Sequence, residues 1–313
     1  AFDAQHDYQM TLTSSRKGIN ATVNDIKQLG ELLLPLLKKG QSIYSILQSH
    51  KEIKLSEKTI YNYIENGVFQ DVGVSISPID LKRVVRRKMS KQKRNTYKPR
   101  KDNRYLIGRK YSDFLIYMEK NSDAKVVEMD TVYNDISNGP FLQTFKFREY
   151  DLLICIYQTV KDSLHMLDGI LLLEKILGKE MFEKEVEVIL TDRGSEFILA
   201  EEAEIREDGM RRTRMFYCDS MASWQKGSLE NVHLLVREIC PKGCDLRALG
   251  LTSQEKANLI STNINSYPKE KLHGRSSIQL LHFYNEEMAK RLHDFGITEI
   301  AADEVILKPY LLK

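Results

Sequence analysis

Three acids in this chain are placed so that they could work together: Asp130, Asp192 and Glu230. Asp130 lies inside the β-rich run "AKVVEMDTVY". Asp192 ends the apolar run "EVEVILTD", directly before Arg193-Gly194. Glu230 follows a Lys-Gly-Ser break and opens an apolar-periodic stretch, with His233 and Arg237 three and seven residues on along one helix face. Each has an unremarkable alternative: a strand acid that faces water, a turn aspartate before glycine, or a helical acid stabilised by the helix dipole. Taken together they suggest a metal centre. Three ionised carboxylates within about 4 Å repel by roughly 4 kcal/mol per pair at an effective dielectric near 20. Divalent cations or a proton must relieve that. Mg²⁺ suits such a set, because it takes few protein carboxylates and completes its octahedron with water and phosphate oxygens. Two Mg²⁺ ions, with Mn²⁺ as a substitute, would activate a water or a 3′-hydroxyl and stabilise the leaving oxygen of an in-line displacement at phosphorus. Glu128, Glu196 and Asp219 are rival acids, expected to have supporting or structural roles.

The elements that must position these acids are legible from about residue 122 onward. The runs "AKVVEMDTVY", "LQTFKFREY" and "DLLICIYQTV" predict three strands. "SLHMLDGILLLEKILG" predicts an apolar helix closed by Gly178, and "EVEVILTD" a buried strand. "SEFILAEEAEIRED" predicts a helix, "TRMFYCD" another strand, and further helices follow at 228–239 and 252–265. Three strands followed by alternating crossovers predict a mixed α/β sheet covered on both faces, with function at strand C-terminal ends.

Upstream, "NDIKQLGELLLPLLKKG" predicts a helix with Asn24 as N-cap, kinked or split at Pro35 and stopped at Gly40. Two short helices follow, near 42–49 and from Ser56 to Gly67. They read either as an αα-hairpin or as a helix-turn-helix, whose second helix would turn Lys58, Thr59 and Asn62 toward DNA. From Lys82 to Lys110 there are fourteen Lys or Arg against the single acid Asp102. That segment carries +13, so the rest of the chain carries −10 within the net +3. A spacer is the plain alternative, but Arg86, Arg87, Lys91, Lys93 and Arg94 suit contacts to phosphates through counterion release.

Composition bounds the rest. With 313 residues the chain has room for two or three domains. No run reaches the roughly 18 apolar residues of a membrane span, and no signal-peptide block opens the sequence. It starts at Ala1 rather than Met, which suits a fragment of a longer protein. Four irregularly spaced cysteines make neither a disulfide framework nor a convincing zinc site. An intracellular location is the default expectation.

The motifs "VEMDTV", "LTDRGSEF" and "SWQKGSLEN…VRE…PKGCDL", with "NINSYPKEKLHGRSS" downstream and "KTIYNYI" upstream, resemble bacterial insertion-sequence transposases of the insertion-sequence-thirty family. The likeness runs from about 40 to 285, in family order. It implies an RNase H-like, retroviral-integrase-like core with an Asp-Asp-Glu triad. Asp130 would bridge two metal ions, Asp192 would hold one and Glu230 the other. The Trp224-Gln225-Lys226-Gly227 turn would present the glutamate helix, with Lys226, His233 and Arg237 close to DNA. The chain departs from the family where Leu-Glu-Asn-Val-His-Leu replaces Asn-Glu-Asn-Thr-Asn-Gly, where Ser276-Ser277 replaces Thr-Pro, and in an apparent insertion near 201–212. The implied activity is two-metal 3′-end cleavage and strand transfer, with terminal inverted repeats and target DNA as partners and at least a dimer as the assembly. A DNA-binding regulator with an inert core and a plain nuclease are the competing readings. The expected domains are a helical region over 1–78, a basic linker over 79–120, a core over 121–285 and a C-terminal extension over 286–313.

Overall fold

The computed structural model describes residues 21–82, 104–135, 139–220 and 222–313. Arg86, Arg87, Lys91, Lys93 and Arg94 therefore lie outside the described residues. The N-terminal helices are α1 (Val23–Lys38), α2 (Ile43–Ser49), α3 (Glu57–Glu65) and the single turn α4 (Val68–Asp71). The cap of α1 is Thr22 rather than Asn24. Asp25 sits three residues on and closes a reciprocal capping box: Asp25 N–H donates to Thr22 Oγ1 at 3.2 Å, and Thr22 N–H to Asp25 Oδ2 at 2.9 Å. Pro35 lies inside α1 without ending it, and Gly40, at φ +84°, makes the stop. Ser42 and Ser56 cap α2 and α3 by accepting from Ser45 and Thr59 N–H. Leu33, Leu37, Ile43, Ile46, Ile60, Ile64 and Phe69 close a buried core of their own.

A helix α5 (Tyr111–Lys120) leads into strands β1 (Val126–Val132), β2 (Phe141–Phe147) and β3 (Leu152–Gln158). Then come α6 (Ser163–Leu177), α7 (Lys179–Glu185), β4 (Val188–Thr191), α8 (Ala200–Glu204), β5 (Arg214–Tyr217), α9 (Gly227–Ile239) and α10 (Gln254–Ser266). The sheet order is β3-β2-β1-β4-β5. β1, β2 and β3 pair antiparallel, while β4 runs parallel to both β1 and β5. This is the RNase H-like mixed sheet, flanked by helices and preceded by an all-α region, that the sequence led us to expect.

The pleat divides the strands between two cores. Val127 and Met129 face α6, where Met166, Ile170 and Leu173 are buried with them. Glu128, Asp130 and Val132 face the other side, over which α9 and α10 lie with Leu229, Val232, Val236 and Ile260 buried. β2 is buried along its whole length because both faces are covered.

The helix expected after Asp192 is broken. A short turn at Ser195–Phe197 precedes α8, and the chain then doubles back, with Ile205 bridging Arg211 and Gly209 at φ +79°. Asp208-Gly209 supplies the turn, and Arg206 and Arg212 both clamp Glu174 of α6. Residues 286–313 are no loose appendage. α11 (Ser277–Tyr284) and α12 (Glu286–Asp294) close the α6 side, and Val305, Leu307 and Leu312 enter the α9 side. The same tail fastens the N-terminal helices: Gln41 Nε2 donates to Ala302 O and Val305 O, and Leu307 N–H to Lys39 O. No helix among the described residues is long and apolar enough to cross a membrane.

Candidate active site

The parallel register pairs Val126 with Val188 and Glu128 with Leu190. Continued by two residues, it sets Asp130 level with Asp192, just past the C-terminal end of β4. Both carboxylates are held in the same way. Asp130 Oδ1 accepts from Thr131 N–H at 2.7 Å and Asp192 Oδ1 from Gly194 N–H at 2.8 Å. Each therefore keeps Oδ2 free of the backbone, and both Oδ2 atoms face one cation. Lys226 Nζ is 3.0 Å from Asp130 Oδ2 and 4.0 Å from Asp192 Oδ2, and also donates to Met129 O at 3.3 Å. Lys226 is buried, yet the two carboxylates outweigh that burial and raise its pKa, so it is charged. Burial and the nearby Asp130 push the Asp192 carboxyl up against the pull of Lys226. Gly194 is required here, because a Cβ would lie 2.6 Å from Glu196 Oε2 and 2.9 Å from Asp192 Oδ1.

The start of α9 is fixed from beneath. Glu128 Oε2 accepts from Leu229 N–H at 2.6 Å, an acid on the positive end of the helix, and Arg148 Nε holds the other oxygen at 2.6 Å. Gln225 brackets Asp219, donating to its carboxylate and accepting from its N–H, while Arg193 pairs with the same acid. Glu196 is buried against Lys161. Glu128, Glu196 and Asp219 thus have structural work, as expected of them.

The remaining predicted site residues divide. Glu230 is on α9, four residues after Lys226 and three before His233, but its side chain is exposed. Among the described residues no group of three or more His, Cys, Asp or Glu is gathered as a metal site, so the expected triad is not assembled in this structure. Lys226, His233 and Arg237, expected to face DNA, are instead turned inward. His233 Nε2 lies 2.9 Å from Thr144 Oγ1, on the residue that pairs with Asp130 across β1 and β2. Burial pushes its pKa down to about 4, against the opposing effect of Asp130, so it is neutral near pH 7. Arg237 donates to Asn134 Oδ1 at 2.7 Å and to Tyr133 O at 3.0 Å, tying down the segment after β1. The physical reason for His233 and Arg237 is their position on α9, where they flank the stripe of Leu229, Val232 and Val236 that packs on the sheet; Lys226 is turned in by the short turn that precedes the helix. In α3, Lys58 and Asn62 are exposed one turn apart, whereas Thr59 Oγ1 is 2.9 Å from the cap hydroxyl of Ser56.

The bridging role of Lys226 was missed from sequence, although the Lys-Gly placement beside Glu230 marked it for attention. A buried cluster around Asp151 was missed altogether, because its members Lys146, Lys269, Lys271 and Ser277 lie far apart in the chain.

No protein-family model matches the chain. It is 37% identical over 68 residues to the transposase for insertion sequence element IS1086 of Cupriavidus metallidurans, covering 22% of this chain and 19% of that protein. It is 25% identical over 236 residues to the probable transposase for insertion-like sequence element IS1161 of Streptococcus salivarius, covering 75% of this chain and 60% of that one. The chain thus spans less than two thirds of the length of either relative. Among solved structures it is similar to the HTLV-2 integrase catalytic core domain in complex with magnesium, in its trimeric form, at 14% identity and a TM-score of 0.36, over 50% of this chain and 94% of that one. The simian T-cell lymphotropic virus intasome in complex with a PP2A regulatory subunit is another, at 14% identity and a TM-score of 0.33, over 50% and 55%. By sequence, then, the chain is similar to insertion-sequence transposases.

Proposed function

We propose that the chain is a DNA transposase of the insertion-sequence-thirty type, which cuts element ends and joins them to target DNA. The observation that carries this is the convergence of Asp130 and Asp192 at the C-terminal ends of two parallel strands, with both Oδ2 atoms on one buried cation. Two carboxylates that already share a cation form a donor set that fits a divalent metal. Magnesium bound there would activate the attacking hydroxyl and stabilise the leaving oxygen. Asp130 and Asp192 would hold it, with their Oδ1 atoms anchored on the backbone N–H groups of Thr131 and Gly194. Glu230, in the first turn of α9 and three residues before His233, would supply the third carboxylate by turning inward. Neutral His233 and Thr144 keep the wall beside Asp130 free of extra charge. Lys58 and Asn62, with the basic segment beyond Lys82, grip the terminal inverted repeats. A multimer, at least a dimer, holds two ends.

The test uses labelled DNA ends with Mg²⁺ or Mn²⁺. Asp130→Asn, Asp192→Asn and Glu230→Gln should each abolish cleavage and joining and leave end binding within a fewfold of normal. Cleavage that survives Glu230→Gln removes that residue from the metal site.

A second reading is favoured by one specific observation: Glu230 is turned out while Lys226 fills the space between the aspartates. That arrangement also suits a DNA-binding regulator with an inert core. No metal-dependent nicking of any end by the unaltered protein would establish it, and hydrolysis without joining would indicate a plain nuclease.

A further inference from the structure

Trp224 is the only tryptophan of the chain, and 71% of its surface is exposed. It lies in the short turn Ser223–Lys226, which carries Lys226 in to the aspartates. The two residues after it anchor that turn. Gln225 is buried against Asp219, and Lys226 against Asp130. The indole therefore stands outward from a fixed base. Behind it is Tyr111 of α5, the two rings meeting edge to face at 76° with centroids 6.3 Å apart, and the buried Phe114 continues the aromatic row. A side chain that normally buries 150–250 Å² of surface is thus left in water beside the Asp130–Asp192 pair.

Its surroundings narrow what could cover this ring. The charged groups near the Tyr111 phenol are already paired, Arg148 with Glu128 and Asp219 with Arg193. The place offers a flat apolar face without spare charge, which suits neither an anion nor a cation. One ring is also far short of the roughly 1,000 Å² that a stable protein interface buries. A nucleobase fits, because it is flat and uncharged and every base has a π-face that stacks on an aromatic ring. Position points the same way. The Cα atoms of Trp224 and Lys226 are at most about 7 Å apart, and a DNA strand advances about 3.4 Å per nucleotide. A strand with one phosphate over Asp130 and Asp192 would bring a base only a few nucleotides away to the indole.

We propose that Trp224 is the stacking platform for an unpaired nucleobase of the DNA strand that lies over Asp130 and Asp192. That a DNA strand lies there rests on the proposed transposase function, whereas the stacking rests on Trp224 and its anchored turn. A paired base has both faces covered within its duplex. The base that stacks therefore comes from a single-stranded or opened stretch, where the cost of unstacking is least. On this account the protein prefers DNA that is opened beside the reacting phosphate, and Trp224 sets where the opened strand is held.

The test uses the full chain without metal, and the single tryptophan makes its own emission the probe. Titration with a 20-nucleotide thymidine strand should quench that emission to a plateau. Trp224→Ala should weaken binding of the strand, read by the anisotropy of a dye on the DNA, by about five- to 150-fold, the usual range for one base stacked on an aromatic ring. Trp224→Phe keeps an aromatic face and should recover most of that affinity. Affinity for a fully paired 20-base-pair duplex should be little changed in either variant. The exposed ring can be removed with the fold intact, which circular dichroism checks. A strand that does not bind, that binds without quenching, or that Trp224→Ala binds equally well overturns the platform. Self-association of the unaltered protein that Trp224→Ala abolishes, with emission that follows protein concentration rather than DNA, makes a second copy the occupant and also overturns it. Strand binding with quenching, but no cutting of any DNA end in Mg²⁺ or Mn²⁺, would sink the transposase reading and leave the stacking platform standing.

Discussion

Lys226→Met should raise the affinity of the Asp130–Asp192 pair for Mn²⁺ by roughly thirty- to 150-fold. Methionine keeps most of the buried stem and removes the charge. At an effective dielectric near 20, an ammonium 3.0 Å from one carboxylate and 4.0 Å from another is attracted by about 5.5 and about 4 kcal/mol. The Asp192 side chain is 49% exposed, so solvent reduces its share to about 1 kcal/mol. Burying the lysine head group costs several kcal/mol in return. The balance is about 2 to 3 kcal/mol, which an incoming dication must overcome and which the variant no longer opposes; every 1.4 kcal/mol is about tenfold. The two carboxylates remain in place without the lysine, because Thr131 and Gly194 N–H groups hold their Oδ1 atoms. Free Mn²⁺ counted by electron paramagnetic resonance during titration gives the affinity, and Asp130→Asn and Asp192→Asn serve as variants that should lose it. An affinity that stays the same or falls in a folded Lys226→Met protein would refute the reasoning, since the ammonium would then not compete for the metal position.

Three further perturbations have signs set by the structure. Burial alone would raise the Asp151 carboxyl, but Lys269 and Lys146 overcome it and hold the pKa at about 2, below the ordinary 3.8; the shift stabilises the fold by about 2 kcal/mol above pH 4 and fades as pH falls toward 2. Asp151→Asn should therefore cost about 3–5 kcal/mol at neutral pH by leaving ammonium groups unpaired, and the gap in thermal midpoint from the unaltered protein should narrow between pH 4 and pH 2. Gly169→Ala should destabilise by at least about 1–3 kcal/mol, because its Cβ would fall 1.8 Å from Gln143 Oε1 and 2.8 Å from Gln158 Nε2, prising α6 from the sheet; thermal melting reads this. Lys58→Ala with Asn62→Ala should weaken binding to element ends more than about tenfold, from about 1–3 kcal/mol per base contact, while Mn²⁺ binding stays unchanged.

The strands were legible because long apolar runs with turn signals admit few other arrangements, and a parallel β1–β4 pair then forces Asp130 and Asp192 to one end of the sheet. The direction in which a polar side chain points is a different kind of information. Helical spacing put His233 and Arg237 on one face of α9 with Glu230, whereas the structure turns His233 and Arg237 inward and leaves Glu230 exposed. Whether the flank of a buried stripe turns toward solvent or toward Thr144 and Tyr133 depends on how far the helix is rolled over the sheet, and periodicity does not encode roll. The same holds for Lys226, whose burial follows from a short turn before the helix rather than from any repeat. The cluster at Asp151 joins residues 146, 151, 269, 271 and 277 and leaves no local trace at all.

The inward lysine and the outward glutamate belong to a single arrangement. Lys226 and Glu230 are four residues apart at the start of α9, and both can address the space between the aspartates. Two carboxylates crowded together attract the nearby ammonium of Lys226 and repel a third carboxylate. On the proposed reading, a bound dication would reverse the sign of the local field, disfavouring the ammonium of Lys226 and attracting the carboxylate of Glu230. The exposed Glu230 and the buried Lys226 thus have one electrostatic cause, the paired negative charge of Asp130 and Asp192.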